Sequence, residues 1–479
     1  VSFKNLGEFI NALEKKGELR CITAPVSARL EITEIADRVV KAGGPALLFE
    51  NVSDSRFPLF INGFGSYERV RFALGVDSLD DVGDAITELT DLSRYVRFID
   101  KLKSLPRFAR LATIFPRTVS RAPCQEVEEE PDLSSLPVLT CWPGDGGPFF
   151  TLPLVFTRDP DTGEQNAGMY RMQLFDRQTT GMHWHLHKDG REIYEKYRRR
   201  GGRMPVSVAL GCDPATIYAA TAPLPKMIDE MLFAGFLRGS AVEMVRCKTN
   251  DIRVPAQAEF VLEGYVDVDE PLRQEGPFGD HTGYYSLVDD YPAFHVERIT
   301  RRKAPVFPAT IVGKPPMEDC YLGKVTERLF LPLLRLQLPE ILDMNFPLEG
   351  VFHNCVIVSI DKRYPGHAKK VMHGLWGLGQ MMYTKMIVVV DRDIDPHDLS
   401  TVAWKVFNNI DAARDLVVVN GPLDALDHAS PLAHYGHKLG IDATRKWKSE
   451  GHEREWPDDI AMTEEIRSRV TRRWSEYGI

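Results

Sequence analysis

The chain has 479 residues, enough for about three domains with ample cores. Hydrophobic residues make up 43% and charged residues 27%, a globular composition that excludes a disordered or fibrous protein. The net charge of −9 argues against a nucleic-acid partner, whose phosphates call for a basic footprint. Arg198-Arg199-Arg200 is a local exception, expected as a solvated helix end or an intersubunit patch.

No apolar run of about 18 residues is present, and Val1-Ser-Phe-Lys-Asn-Leu6 lacks the charged-then-apolar pattern of a signal peptide, so a cytoplasmic location is expected. The seven cysteines, Cys21, Cys124, Cys141, Cys212, Cys247, Cys320 and Cys355, are widely spaced with no Cys-x-x-Cys pair. An odd, scattered set supports neither a disulfide framework nor a structural zinc site, and reduced thiols are expected.

In chain order the pattern predicts an α/β (α+β) protein of three domains. Residues 1–125 read as α/β. Leu6, Phe9, Ile10 and Leu13 give helical spacing within Asn5–Lys16, Ala46–Glu50 is a short buried strand, and helix-compatible spacing recurs from Leu92 to Leu111. Ala122–Pro131 carries a charge run and two prolines, which places a boundary there. Residues 126–310 are strand-like at Pro205–Leu210, Glu259–Val266 and Ala293–Ile299, with one inserted helix over Lys226–Arg238, a pattern that suggests a partly open barrel. Residues 325–479 begin with a helical segment at Leu329–Leu336. The apolar runs Val356–Ile360, Met386–Val390 and Leu416–Val419 then predict a parallel sheet covered on both faces, with helices at His367–Gln380 and Asp398–Asn408.

The run Glu275-Gly-Pro-Phe-Gly-Asp280-His281-Thr-Gly-Tyr-Tyr285 sets two carboxylates five residues apart around a turn. Pro277 fixes φ, and Gly276 and Gly279 admit angles that bulkier residues resist, so the segment is expected to fold back and turn Glu275 and Asp280 toward a common pocket. Paired carboxylates whose environments push their pKa values apart are a device for proton transfer, with one held ready as an acid. A tight hairpin with solvated acids is the alternative.

Upstream lie Asn166-Ala-Gly-Met-Tyr-Arg171, the histidine run His183-Trp-His185-Leu-His187, and Asp229-Glu230 at a helix start. Strand alternation puts His183, His185 and His187 on one face, which invites a zinc assignment. A trihistidine zinc site usually draws its ligands from separate elements, and alternating imidazoles more often line a pocket or a solvated face, so zinc is disfavoured. Taken singly, Arg171 reads as a structural ion pair and Glu230 as a helix N-terminal carboxylate.

Three ordered motifs, Asn166–Gln173, Thr249–Ala256 and Glu275–Tyr285, resemble the UbiD family of prenylated-FMN-dependent decarboxylases, most nearly the branch acting on polyprenyl-4-hydroxybenzoate. The likeness continues through Tyr364–Met372 and Ala429–Pro431 to Lys438. It implies a central split β-barrel that binds flavin and a C-terminal α/β domain that forms a homo-oligomer. It matches Asn166, His187 and Glu230 to the ligands of Mn2+ or Mg2+, a set suited to a divalent ion that also takes phosphate oxygens, with K+ as a further cation. Met169, Tyr170, Arg171, His183, Trp184, His185, Lys188 and Asp189 match the cofactor-contacting stretches, and Lys438 a phosphate-binding lysine. His183 and His185 depart from the commonest residues there. Arg171, Glu275 and Asp280 match the catalytic network, with Asp280 in the form typical of the quinone-pathway branch.

The resemblance thus implies reversible, non-oxidative decarboxylation of an aromatic acid, either polyprenyl-4-hydroxybenzoate or a menaquinone-pathway carboxylate, with a prenyl-flavin synthase supplying the cofactor. A polyprenylated substrate would bring at most peripheral membrane contact. Small phenolic, heteroaromatic or phenylacrylic acids are the alternative substrates. A non-catalytic flavin-binding protein is disfavoured by the intact Arg171, Glu275 and Asp280, and a zinc hydrolase by the histidine spacing.

Overall fold

Leu6–Lys16 is helical because Leu6, Phe9, Ile10 and Leu13 form one buried stripe; the Asn5 side chain accepts the Glu8 N–H at its start, and Gly17 ends it at φ 76°. The computed structural model describes residues 2–90, 113–185, 188–224 and 228–479, so the helical spacing expected at Leu92–Leu111 lies outside the described residues. Leu19–Ile22, Ala46–Phe49 and Leu59–Ile61 form a sheet that Phe307–Pro308 completes by pairing in parallel with Leu59–Ile61. The end of the central segment is thereby stitched into the N-terminal one.

The central segment is an antiparallel sheet. Its strands are β1 (Leu154–Arg158), β2 (Gln165–Met169), β3 (Thr179–Gly181), β4 (Arg203–Leu210), β5 (Phe260–Asp267) and β6 (Ala293–Arg301). They lie in the order β3-β6-β5-β4-β1-β2, and Val127–Glu129 pairs with β6 as a seventh strand. No pairing among the described residues joins β2 to β3, so the sheet is open. Alternation along each strand feeds two cores: Val155, Val208 and Leu262 point into one, whereas Leu154, Phe156, Ala209 and Val261 point into the other. β3 stops at Gly181, and His183 and His185 follow on irregular backbone, so the expected strand face of histidines is not formed.

Two helices flank this sheet, α1 (Asp189–Arg200) and α2 (Glu230–Arg238). The helix expected from Lys226 starts instead at Glu230, because the Asp229 side chain accepts the Leu232 N–H at 2.7 Å and caps it there; Lys226 lies outside the described residues. Arg198, Arg199 and Arg200 are the exposed last turn of α1.

Helix α3 (Glu318–Arg335) begins well before the expected Leu329 and leads into the C-terminal sheet. That sheet contains β7 (Ile341–Asn345), β8 (Cys355–Ile360), β9 (Met386–Asp391), β10 (Leu416–Pro422) and β11 (Tyr435–Asp442), in the order β7-β8-β9-β11-β10. Only β8, β9 and β11 are parallel. Leu416–Val419 belongs to the antiparallel edge strand β10, where Val418 is 65% exposed, so it is not covered on both faces as expected. The third parallel strand is β11, whose mixture of His437, Lys438 and glycines hides it from a search for apolar runs. Helix α4 (His367–Trp376) stops short of the expected Gln380, and α5 (Leu399–Asn409) starts at the Asp398 cap. All seven cysteines are free thiols, and no helix among the described residues is long and apolar enough to cross a membrane.

Candidate active site

The Glu275–Tyr285 run folds back as its turn chemistry predicts. Arg273–Glu275 pairs antiparallel with Asp289–Tyr291, the Gly276–Pro277 bond is cis, and Gly276 sits at φ 99°, a region that favours glycine. Side chains from other segments pin the turn. Gly276 N–H donates to Gln173 Oε1 at 2.7 Å, Phe278 N–H to Ser286 Oγ at 3.1 Å, and Gly279 N–H to Asp145 Oδ1 at 2.8 Å. A Cβ at Gly146 would collide with the Gly276 carbonyl, so glycine is needed where the two loops meet.

Arg171, just beyond β2, reaches into this turn. Its Nε donates to Glu275 Oε1 at 2.9 Å and its Nη2 to Glu275 Oε2 at 3.2 Å, a two-pronged grip, while Nη1 donates to Asp280 Oδ2. All three side chains are buried, at 9%, 0% and 9% exposure for Arg171, Glu275 and Asp280. The Phe278 ring lies 4.8 Å from the guanidinium carbon and shields one face of the cation.

Burial pushes the Glu275 carboxyl up, but the His183 hydrogen bond and the Arg171 charge outweigh it and hold the acid at about 2. Burial likewise opposes the Asp280 charge, and Arg171 and His281 overcome it, keeping Asp280 well below the usual carboxylate range. The expectation that one acid is held protonated is therefore corrected: Arg171 lies between the two and depresses both.

His183 Nδ1 lies 2.8 Å from Glu275 Oε2, and its Nε2 contacts His185 Nε2. Burial and the Arg171 charge lower His183, and burial with the neighbouring His183 and Arg171 charges pushes His185 down to about 3. Both rings are neutral near pH 7. His183 therefore donates from Nδ1 to Glu275 and accepts from His185 at Nε2.

Asn166 and Glu230 meet as a second centre. Glu230 heads α2 and accepts Asn166 Nδ2–H at 2.9 Å and the Ala167 N–H at 3.1 Å. Burial pushes its carboxyl up to about 7, only partly offset by the Ala167 N–H. Asn166 Oδ1 is buried without a hydrogen-bond partner among the described residues, and His187 lies outside those residues. A buried, uncompensated acid beside an unpaired amide oxygen is a donor set that a divalent cation satisfies.

Between the two centres stand Met169, at the end of β2, and Tyr170, whose hydroxyl accepts the Gly190 N–H at 3.4 Å. Trp184 is buried edge-on to Tyr170, and its Nε1–H has no partner among the described residues. A Cβ at Gly190 would lie 2.6 Å from Trp184 Nε1. Gly190 and Asp189 form the first turn of α1, with Lys188 at its N-cap position, so the positive end of the helix dipole lies in this region and suits an anion. Burial lowers Lys188, against the attraction of Asp424 and Asp189.

Lys438 lies elsewhere. It is buried on β11, its Nζ donates to the Met382 carbonyl, and no contact among the described residues joins it to Arg171 or Asn166. The structure also brings in groups that the motifs did not name as site residues. Ser286 Oγ accepts from Arg171 Nη2 at 3.3 Å, and His281 and His353 form a pair behind Asp280. Burial opposes the charge on Asp424, from the C-terminal segment, yet the nearby His281 and the Leu426 N–H, donated at 2.9 Å, keep its carboxyl lowered. Ser286 and His281 are local to the turn; His353 and Asp424 come from distant loops with no spacing signal.

Arg171→Met should leave two buried carboxylates without their cation, at a cost of about 3–5 kcal/mol at pH 7. Because Glu275 and Asp280 are depressed in the folded state, their stabilising contribution is full above the ordinary carboxylate range and is lost as pH falls toward about 2. Urea unfolding should therefore show a gap between the two proteins that narrows from pH 6 to pH 3. Equal midpoints at pH 7 would contradict the ion-pair account.

Three family models cover most of the chain: the 3-octaprenyl-4-hydroxybenzoate carboxy-lyase N-terminal domain over residues 10–87, its Rift-related domain over 117–315 and its C-terminal domain over 320–443. An uncharacterized protein of Archaeoglobus fulgidus is 51% identical over 478 residues, covering 99% of each chain. Among solved structures, the closed form of vanillic acid decarboxylase from Sedimentibacter hydroxybenzoicus matches with a TM-score of 0.85 and 27% identity, over 98% of this chain and 99% of that one. The UbiD-class enzyme HmfF from Pelotomaculum thermopropionicum, in complex with FMN, matches at 0.80 and 28%, over 95% and 97%. An evolved dimeric form of HmfF, in complex with prenylated FMN, matches at 0.78 and 26%, over 96% and 97%. With full-length relatives and all three domains matched, the chain belongs to the UbiD family of carboxy-lyases.

Proposed function

We propose that the chain removes carbon dioxide from an aromatic carboxylic acid, non-oxidatively and reversibly, using prenylated FMN. The observation that carries this reading is the buried Arg171 gripping Glu275 and Asp280 within a UbiD-family fold. The FMN and prenylated-FMN complexes of HmfF support the cofactor. Asn166, His187 and Glu230 would hold Mn2+ or Mg2+, with K+ as a further cation, against the cofactor phosphate. Trp184 Nε1–H and the first turn of α1 would add donors. When bound, the cofactor supplies the electron sink that carbon–carbon cleavage requires.

The chain's own residues do the rest. Arg171 keeps Glu275 and Asp280 in register and offers its guanidinium edge to a substrate carboxylate. A third carboxylate on that edge would compete for the cation and raise the pKa of one of the two acids, which could then carry the proton. Decarboxylation consumes one proton per turnover, delivered to the carbon that lost carbon dioxide. His183, neutral and fixed by Glu275 and His185, orients the Glu275 oxygens toward Arg171.

Asp280 in the form typical of the quinone-pathway branch favours polyprenyl-4-hydroxybenzoate or a menaquinone-pathway carboxylate. The likeness to vanillic acid decarboxylase supports a second reading, a small phenolic acid. Protein co-expressed with a prenyl-flavin synthase and screened for carbon dioxide release separates the two. In that screen Glu275→Gln and Asp280→Asn should keep bound flavin yet lose at least about 100-fold in turnover, the scale of removing a general acid. Near-normal turnover in both would reject the acid pair.

Glu230→Gln should lower metal content and flavin absorbance together after dialysis, because the charge that holds the cation is gone. Full retention of both would count against Asn166, His187 and Glu230 as ligands.

A homo-oligomer built through the segment after residue 330 also belongs to this reading. Helix α5 turns Trp404 (49% exposed) and Phe407 (81%) outward, an apolar surface suited to a second copy. Light scattering at micromolar concentration should show more than a monomer, and a monomer would sink the assignment. The cytoplasm, where a prenyl-flavin synthase would meet the chain, is the proposed location.

A further inference from the structure

Behind Asp280, on the side away from Arg171, the structure builds a chain of two imidazoles. Asp280 Oδ1 accepts the His281 backbone N–H at 2.7 Å and lies 3.0 Å from His281 Nδ1. His281 Nε2 lies 2.8 Å from His353 Nε2. Since an ionised carboxylate only accepts, His281 Nδ1 carries a proton. A single proton also lies between the two Nε2 atoms, so either His281 is charged and donates to a neutral His353, or His353 donates to a neutral His281.

The surroundings decide between these states. The Phe352 ring stacks on His281, with centroids 4.9 Å apart at 28°. Asp280 on the same turn, Asp319 in the first turn of α3, and Asp424 in the loop before β11 all act on His281 electrostatically. Asp319 Oδ2 is buried without a partner among the described residues, and burial pushes that carboxyl up to about 6. His353 feels the positive His281 and Lys188 and the negative Asp424 and Asp280; accepting at Nε2 puts its own proton on Nδ1, which is buried without a partner among the described residues, a cost that this state bears. Burial and the His281 charge push His353 down to about 4, whereas His281 is lifted above its ordinary value, because Asp280, Asp319 and Asp424 outweigh the cost of burial.

The backbone bears a cost to make this pairing. Val351 and Phe352 both sit in the left-handed region, at φ 45° and 55°, which non-glycine residues rarely enter. That turn carries Phe352 and His353 onto His281, and a Cβ at Gly323 of α3 would collide with Phe352.

We propose that His281 is an imidazolium that recharges Asp280 with the proton each turnover consumes, and that His353 is the acceptor holding it in that state. In this step the His281 Nδ1–H bond breaks and an Asp280 Oδ1–H bond forms, leaving a neutral imidazole and a carboxylic acid. The acid's proton then passes to the substrate carbon as carbon dioxide leaves, and His281 regains a proton from solvent water once the product has gone. Both histidines act through Asp280 and are positioning residues. The proposal rests on the acid pair described above.

Nuclear magnetic resonance of 15N-histidine-labelled protein tests it directly. His281 should carry both ring protons at pH 6.5, its ordinary midpoint, and should titrate above it. His353→Phe keeps a ring but leaves His281 Nε2–H without an acceptor, so the midpoint should fall by about one unit or more. His353→Gln offers an amide oxygen and should hold the midpoint within about half a unit. The alkaline limb of kcat, for an acid found in the screen, should move down with the His281 midpoint in His353→Phe and stay in place in His353→Gln, with flavin content equal in all three proteins. A neutral His281 at pH 6.5, a midpoint unmoved in His353→Phe, or a kcat limb that ignores the midpoint would overturn the proposal. Undiminished turnover in both Glu275→Gln and Asp280→Asn would sink the acid pair and the proton store together, a result distinguishable because the His281 midpoint of the unsubstituted protein would still lie above its ordinary value.

Discussion

The buried Arg171 guanidinium organises the candidate site. Arg171 pairs with both Glu275 and Asp280, and its charge works with the His183 and His281 hydrogen bonds to keep the two buried acids ionised. The pairing needs the turn between the acids to bring them to one guanidinium, and that turn is pinned from outside by Gln173 and Asp145 and locally by Ser286. The β2 end that carries Arg171 and the loop that carries the acids are thus held in register by hydrogen bonds spanning more than a hundred residues of chain. Electrostatics and turn geometry are two parts of one constraint: loosening the turn would part Glu275 and Asp280 from the cation they share.

The second centre has the opposite character. At Asn166 and Glu230 an acid is buried with no cation paired to it among the described residues, and its carboxyl rises to about 7 where Glu275 falls to about 2. Two buried glutamates in one domain therefore behave differently because one faces Arg171 and the other faces an amide and a backbone N–H. That contrast separates an ion network complete in itself from a buried acid with no cation paired to it among the described residues.

Features whose cause is local were legible in the sequence. Gly276, Pro277 and Gly279 announced the fold-back at Glu275–Asp280, and Asn5 and Asp398 marked helix starts. The strand-like runs expected at Pro205–Leu210 and Glu259–Val266 overlap the observed strands Arg203–Leu210 and Phe260–Asp267. The identity of Arg171 as partner to both acids required the family motif, since nothing in its spacing points across a hundred residues. Features that depend on assembly were not legible. The His183–His185 contact looked like one face of a strand, yet β3 ends first and the rings meet on irregular backbone. β10 and β11 were confused because an exposed edge strand is here more apolar than the buried parallel strand beside it. His353 and Asp424 reach the site only through the packing of the C-terminal segment against the central one. The joint depression of both acids follows from Arg171 sitting between them, a geometry that composition does not encode.

The ionisation of the two acids is the central claim, and carbon-13 resonances of the Glu275 and Asp280 carboxyl groups report it most directly. Titrated in the substrate-free protein, and assigned by the loss of each signal in its amide variant, both should remain ionised at pH 4. Protonation of either above pH 5 would contradict a site in which one arginine holds two carboxylates charged.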